Sequence, residues 1–413
     1  MLLQKRLALI RRMYLLDSRP WIIAYSGGKD STAVLQLVWS SLDSLKSSQR
    51  TKSVEIAYVD TGMEHPAYSE MLTGTLFKIE KAANAQRMPF NVHILAPLLK
   101  HRYFVAVIGR GYAPPTHWFR WCTKDMRIRP MTQFIKDTIS LHSQVVIVLG
   151  LRRSESQSRS ATLAKYSRGK PFQGAYGSLK RATAFTPIED FATEEVWQFL
   201  MTSKCPWGDG NRELSRLYTL ASGGECASHS LGDGVGKTCG GSRFGCWTCT
   251  VVRRDKTGEG LADGDERYEW LLDFRNWLAQ IRYERKRRWM IRRNGSPGPG
   301  PLRLSTRREI LYRLAQIQFD SGFRLLNEVE LNEIQGLWNL DGDRTDSELR
   351  LWREFQFRPP NKSKTELVTI SSAPAGSSGA DLSREPSGNQ SHDRLSFHTA
   401  TSARTPKSTP TTV

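Results

Sequence analysis

The stretch AYSGGKDST, residues 24–32, decides the fold. It stands between a short β-rich apolar run, PWIIAY (20–25), and a run at helical spacing, DSTAVLQLVWSSL (30–42). In the second run Ala33, Leu37 and Ser40 alternate in face with Val34, Leu35 and Val38, as in a helix largely buried on a sheet. The order is therefore strand, loop, helix. Gly27 and Gly28 let the backbone turn tightly after the strand. The amides of the turn and of the helix N-terminus then converge on an anion. Lys29 adds a point charge, and Ser26 and Ser31 add hydroxyls. Asp30 either caps the helix and meets its dipole or positions Mg²⁺ or a nucleotide. The Walker spacing, four residues between the first glycine and Gly-Lys-Ser/Thr, is missing, so phosphate is held here in another way.

The same strand-and-helix unit recurs. VEIAYVDTG (54–62), FNVHILAP (90–97) and QVVIVLGLR (144–152) read as three further strands with helical segments between them. Such alternation predicts an α/β fold with a parallel sheet, right-handed crossovers and a ligand site at the carboxyl ends of the strands. Asp60 and Thr61 close the second strand, and Gly150 and Arg152 the fourth. Ahead of the sheet, Leu3, Leu7, Ile10 and Tyr14 fall at helical spacing. Charges interrupt MLLQKRLALIRRM too early for a secretory segment, and no apolar stretch approaches the roughly 20 residues that span a bilayer. A cytoplasmic location without membrane contact is expected.

Beyond the fourth strand the pattern changes. Residues 152–185 carry eight basic groups against one acid, Glu155, and read as a mobile basic lid. TPIEDFATEEVWQFL (186–200) follows, with Thr193 as the expected N-cap of a helix. From DERYEWLLDFRNWLAQIRYERKRRW (265–289) the chain reads as helical, broken at NGSPGPGP (294–301) and helical again to about Phe357. The last 50 or so residues are rich in Ser, Thr, Pro and Gly and cannot repay their ordering entropy, so a disordered tail is expected. The expected division is a nucleotide-binding domain at 1–204, a cysteine-rich region at 205–255, a helical region at 256–360 and the tail at 361–413.

Lys and Arg outnumber Asp and Glu by 60 to 41, a net charge of +19. That balance fits nucleic acid, acidic lipid or polyphosphate as a partner, or a solvated basic surface. RYERKRRWMIRR (282–293) reads as a helix end bearing seven basic residues around Trp289. Such density suits sequence-independent contact with DNA phosphates. Contact with a partner subunit is the alternative.

Four of the six cysteines crowd into 24 residues as Cys226-x12-Cys239-x6-Cys246-x2-Cys249, among many glycines. In a reducing compartment such a group indicates metal ligation rather than disulfides. Four thiolates suit tetrahedral zinc or a [4Fe–4S] cluster, and the spacing alone leans to zinc. Cys122 lies between Trp121 and Thr123 with Arg120 and Lys124 close by. It is either a thiolate of lowered pKa able to carry a persulfide or a small core residue. Cys205, before Pro206, is expected to pack. Arg152, Arg153 and Arg159 are candidates to neutralise charge developing on a phosphate. His65 and His117 have no evident partner.

These residues carry a resemblance. SGGKDS after the first strand is similar to the PP-loop of the ATP pyrophosphatases, whose loop grips the pyrophosphate end of ATP while the α–β bond breaks. YVDTGMEHP (58–66), FRWCTKDMRIRP (119–130), LGLRRSESQSR (149–159) and FTPIEDFATEEVW (185–197) resemble signatures of the phosphoadenylylsulfate (PAPS) reductase branch. PWGDGNRELSRLY (206–218) and CGGSRFGCWTCTVVRRDK (239–256) resemble the DndC family, the sulfurtransferases of DNA phosphorothioation. The resemblance covers roughly residues 12–345. It implies a Rossmann-like PP-loop domain with an iron–sulfur insert, and the cofactors ATP, Mg²⁺ and a [4Fe–4S] cluster on Cys226, Cys239, Cys246 and Cys249. It assigns Ser26, Gly27, Gly28, Lys29, Asp30, Ser31, Asp60, Thr61 and Gly150 to the nucleotide. Catalysis falls to Lys29, Asp30, Arg152, Arg159 and Cys122. The implied partners are DNA, a cysteine desulfurase, a coiled-coil ATPase and small DNA-binding subunits. A sulfate reductase would need a further cysteine near its C-terminus, and none follows Cys249.

Overall fold

Pro20 ends the approach to the sheet, and the five residues after it form its central strand, β1 (Trp21–Tyr25). Its side chains alternate between two cores, as the two-residue period of a strand buried on both faces requires. Trp21, Ile23 and Tyr25 join one core and Ile22 the other. The computed structural model describes residues 2–155, 160–161, 163–164, 175–208, 210–221 and 245–341. Arg159, Cys226, Cys239 and the expected tail at 361–413 lie outside the described residues.

The sheet has the strand order β3-β2-β1-β4-β6-β5. β2 (Val54–Val59), β3 (Phe90–Leu95) and β4 (Val145–Val148) run parallel to β1, as the spacing predicts. The fifth parallel strand, β6 (Leu179–Phe185), pairs with β4, and β5 (Ala175–Tyr176) closes the edge antiparallel. This corrects the reading of 152–185 as a lid throughout. Lys180 and Arg181 face outward at the start of β6, while Ala182, Ala184 and Phe185 enter the cores. Two small residues at core positions gave the sequence little apolar signal.

Helix α1 (Leu2–Leu15) buries Ile10, Met13 and Tyr14. It lies on the same core as α2 (Lys29–Asp43), of which twelve residues are buried, and α3 (Pro66–Ala85). The opposite face is covered by α4 (Arg129–His142) through Ile135, with Met131, Phe134 and Ile139 beside it. Then come α5 (Thr193–Thr202), α6 (Arg212–Ala221), α7 (Lys256–Ala262), α8 (Arg267–Ile281), α9 (Leu304–Ser321) and α10 (Glu328–Leu340). One apolar core runs from Ile10 to Trp338, so the C-terminal helices share it with the α1–α3 face of the sheet. Each large side chain removed from water there contributes about 1.5–3 kcal/mol. No helix among the described residues is long and apolar enough to cross a membrane.

Two local expectations are corrected. Thr193 is the first helical residue of α5 rather than its cap: Ala192 holds the cap position, and its amide donates to Glu195 at 2.7 Å. Residues 282–293 are not a helix end, because α8 stops at Ile281 and the chain continues through a short 3₁₀ turn, Arg285–Arg287, into isolated bridges. Several of its arginines serve backbone carbonyls that lack regular partners. Arg288 donates to Gly300 O (2.6 Å) and Pro299 O (3.2 Å), and Arg293 to Arg110 O. Arg287 pairs with Glu284 and Glu309.

Candidate functional site

β1 delivers its carboxyl end into Ser26–Ser31, and α2 begins at Lys29 with Gly28 as an N-cap that has no side-chain acceptor. A helix N-terminus without a capping oxygen leaves donors for an anion. Gly27 adopts φ +73, a conformation that favours glycine, and a Cβ there would crowd Leu72 Cδ1 at 2.5 Å and Tyr68 Oη at 2.9 Å. Gly150, just beyond β4, packs its α-carbon against the loop: a Cβ would lie 2.9 Å from the Asp30 carbonyl. The end of β4 thus presses directly on the start of α2.

The loop is braced by its own hydroxyls. Ser31 Oγ donates to Gly28 O (3.0 Å), accepts from Ser26 N (3.2 Å) and meets Ser26 Oγ at 3.1 Å. Two tyrosines that the sequence reading passed over complete it. Tyr68 Oη donates to Ser26 O at 2.6 Å, and Tyr218 Oη accepts from Lys29 N at 3.2 Å. A phenolic oxygen therefore sits on an α2 N-terminal amide, the kind of donor an anion would use.

At the centre stands Asp30. Its Oδ1 accepts from Arg152 Nε at 2.7 Å and its Oδ2 from Lys29 Nζ at 3.0 Å. Lys29 and Arg152 are 4% and 1% exposed, so one carboxylate serves two nearly buried cations. Arg152 is fixed further by Ser154 Oγ (2.9 Å), Thr193 Oγ1 (3.2 Å) and Phe191 O (3.3 Å). Thr193 thus receives Arg152 instead of capping α5. The triad carries a net single positive charge, a setting that favours an arriving polyanion. Arg153 points to the surface and pairs with Glu189 at 3.4 Å.

The turn after β2 lies at the same end of the sheet. Asp60 Oδ1 accepts from Gly62 N (2.8 Å), and Thr61 Oγ1 donates to Glu64 Oε1 (2.8 Å). Asp60 and Thr61 line a crevice of about 200 Å³ with Arg102 and the segment joining α9 to α10. A larger cavity, about 460 Å³, lies between Gly27, α3 and the start of α6, with Lys78, Glu70 and Asn211 on its wall.

The cysteines reach this turn. Glu64 and Cys246 form an antiparallel bridge, and Trp247 N donates to Met63 O at 2.9 Å. Arg127 donates to Glu64 Oε1 (3.3 Å) and to Cys246 Sγ (3.6 Å). A continuous polar chain therefore runs Thr61–Glu64–Arg127–Cys246. Burial pushes the Glu64 carboxyl above its ordinary range, with Arg127 pulling it back. Burial likewise pushes the Cys246 thiol up to about 11 against the same guanidinium. Cys249 N donates to Cys246 O (2.9 Å), which makes Cys246–Cys249 a tight turn. Arg275, 1% exposed on α8, accepts the burden of its exit by donating to Cys249 O (2.8 Å) and Arg253 O (3.2 Å).

Cys122 is half-buried. Burial raises its thiol pKa and the neighbouring Cys249 raises it further, outweighing Arg120. The expected lowering is thus corrected, because desolvation of a thiolate costs more here than one exposed cation returns. Cys205 is buried in the main core, as expected of a packing residue. His65, 1% exposed, lies 3.3 Å from Asp255 through Nε2, a partner that the sequence did not reveal. Among the described residues no three His, Cys, Asp or Glu side chains are grouped to hold a metal ion. Cys246 and Cys249 supply two soft donors on one turn, which fits half of a four-thiolate site.

Residues 20–252 match the phosphoadenosine phosphosulfate reductase domain. An uncharacterised protein of Methanocaldococcus jannaschii is 23% identical over 198 residues, 48% of this chain; the chain spans about a third (35%) of that relative's length. Among solved structures, the phosphoadenylyl-sulfate reductase of Candida auris aligns over 47% of this chain and 77% of its own, at 10% identity and a TM-score of 0.30. The U34-tRNA thiolase NcsA of Methanococcus maripaludis, solved with its [4Fe–4S] cluster, aligns over 55% and 77%, at 12% identity and a TM-score of 0.31.

Proposed function

The chain belongs to the phosphoadenosine phosphosulfate reductase domain family, and from that premise we propose that it is an ATP-cleaving sulfurtransferase of DNA phosphorothioation. The observation that carries the reading is the chain Thr61–Glu64–Arg127–Cys246, which ties the turn expected to hold adenosine to the cysteines expected to handle sulfur. A site that only splits ATP has no use for that link.

In this reading the amides of Gly27 to Ser31 and the Lys29 ammonium take the β- and γ-phosphates. Lys29 exchanges its bond to Asp30 for phosphate oxygens, and Tyr218 yields the Lys29 amide. Asp30, held by Arg152, is then free on one oxygen to bind Mg²⁺. Arg152 acts as a positioning residue, since its Nε and Nη1 donors are committed within the protein. An oxygen of a DNA phosphodiester attacks the α-phosphorus, pyrophosphate departs, and the diester is left joined to AMP. The outer sulfur of a persulfide, released at the oxidation level of sulfide by a thiol reductant that is left as a disulfide, then attacks the diester phosphorus, and AMP leaves with the former oxygen. Adenylation is needed because a bare phosphate oxygen is a poor leaving group.

Cys246 and Cys249, with Cys226 and Cys239, would hold a [4Fe–4S] cluster by one thiolate on each iron, and the group when bound would supply electron transfer beside the site. Arg127 favours the thiolate of Cys246, and Cys122 beside them is the candidate sulfur carrier. A cysteine desulfurase would deliver the sulfur, and a coiled-coil ATPase with small DNA-binding subunits would present the DNA. In cells carrying such a system, enzymatic digestion of DNA followed by mass spectrometry is expected to yield phosphorothioate-linked dinucleotides with the wild-type chain and none with Lys29→Ala. Unmodified DNA from the wild-type system, with sulfite formed from PAPS by the purified protein, would replace this reading with a sulfate reductase.

A further inference from the structure

Four consecutive residues beside the cysteine turn, 117–120 (His-Trp-Phe-Arg), are exposed in a chain that buries most of its tryptophans. Trp118 is 93% exposed and Phe119 48%. Their backbone is not slack. Thr116 and Phe119 exchange both backbone hydrogen bonds, at 3.3 and 3.2 Å, and Phe119 N also donates to Thr116 Oγ1 at 3.0 Å. The turn is anchored at Pro115, whose carbonyl accepts from Thr250 Oγ1 (2.6 Å) and Arg282 Nη1 (2.7 Å). Thr250 follows Cys249, so the turn is tied to the cysteine end of the site.

An aromatic–cationic surface continues behind it. Phe119 lies 6.4 Å from Tyr112, and the guanidinium carbons of Arg110 and Arg293 stand 4.7 and 5.4 Å from the Tyr112 ring centre. Nearby carboxylates are already spent: Asp125 pairs with Arg129 at 2.7 Å and Glu284 with Arg287 at 3.0 Å. A solvent-facing indole on an anchored turn, with two guanidinium groups on the Tyr112 ring that Phe119 adjoins, offers what an unpaired nucleobase and its phosphates require, a stacking face and counter-charge. A base inside a duplex has both faces covered and gains nothing from it. A protein partner would also use exposed Trp and Arg, but the surplus of positive charge favours a polyanion.

The geometry points to the Thr116–Phe119 turn as a stacking platform, led by Trp118, for an unpaired DNA base. This rests on the DNA reading above and adds that the substrate presents a base drawn out of the duplex. The test compares the full chain's affinity for two otherwise identical DNA duplexes, one fully paired and one with a single bulged base, by fluorescence anisotropy across a salt series. The wild type should prefer the bulged duplex by about tenfold or more, as one base stacked on an aromatic supplies. Trp118→Ala should bring the ratio near one with an unchanged salt slope, because no charge is removed, and Trp118→Phe should keep most of the preference. Arg120→Gln should instead reduce the slope by roughly one. A bulge preference that survives Trp118→Ala, or a wild type that binds both duplexes equally, overturns the platform while leaving the DNA reading in place. No salt-dependent binding to either duplex overturns both.

Discussion

Asp30→Ala is expected to lower ATP cleavage by about a thousandfold or more and to destabilise the protein as well. The two effects share one cause. Asp30 is the carboxylate to which both Lys29 and Arg152 are bonded, and both cations are nearly buried. Removing one partner of a buried pair leaves uncompensated charge and costs about 3–5 kcal/mol. Lys29→Ala separates the contributions. It deletes a buried cation while leaving the Asp30–Arg152 pair whole, so the thermal midpoint should hardly fall. Cleavage should still drop by roughly 10²–10³, as for loss of one preorganised group aimed at developing charge. Thermal melts and cleavage rates on the two variants together check the assignment. Equal loss of stability in both would mean that Lys29 is structural.

The second large effect concerns iron. Protein purified without oxygen should carry about four irons and four labile sulfides per chain, as a [4Fe–4S] cluster requires. Cys246→Ser and Cys249→Ser should each reduce iron to near zero, because each would remove one of the four thiolates the cluster needs, two of which stand on this one turn. Arg275→Met is expected to lower iron content too, since its guanidinium holds the carbonyl of Cys249 and the exit of the turn. Iron and sulfide analysis with the visible absorbance spectrum reads this directly. One zinc per chain and no visible absorbance would assign the thiols to a structural zinc site instead.

Where local chemistry and strand period coincide, the sequence is legible. SGGKDS follows an apolar run that admits only a strand and precedes a run that admits only a helix, and the fold places it accordingly. The parallel order of four strands follows from the same alternation. β6 was hidden because its core positions are filled by Ala182 and Ala184 behind two outward charges. Residues 282–293 misled in the opposite sense. Their arginines look like a nucleic-acid surface, yet Arg282 and Arg288 are spent on the carbonyls of an irregular segment. Backbone that forgoes regular pairing needs such donors, and nothing in a run of arginines distinguishes that use from binding. Tyr218 and Glu64 were illegible for another reason. Each acts across a large separation in sequence, on Lys29 and on Cys246 respectively, and only the fold brings the pairs together.

The central claim is that the loop at Ser26–Ser31 holds departing pyrophosphate, so that ATP is broken between its α- and β-phosphates. The most direct measurement is the identity of the products released from ATP by the purified, cluster-loaded chain with DNA and a sulfide source, separated by anion-exchange chromatography. AMP and pyrophosphate in equal amounts, lost together in Lys29→Ala, are the expected result. ADP and orthophosphate would contradict the account, because they place the break at the γ-phosphate and leave no adenylated intermediate for sulfur to displace.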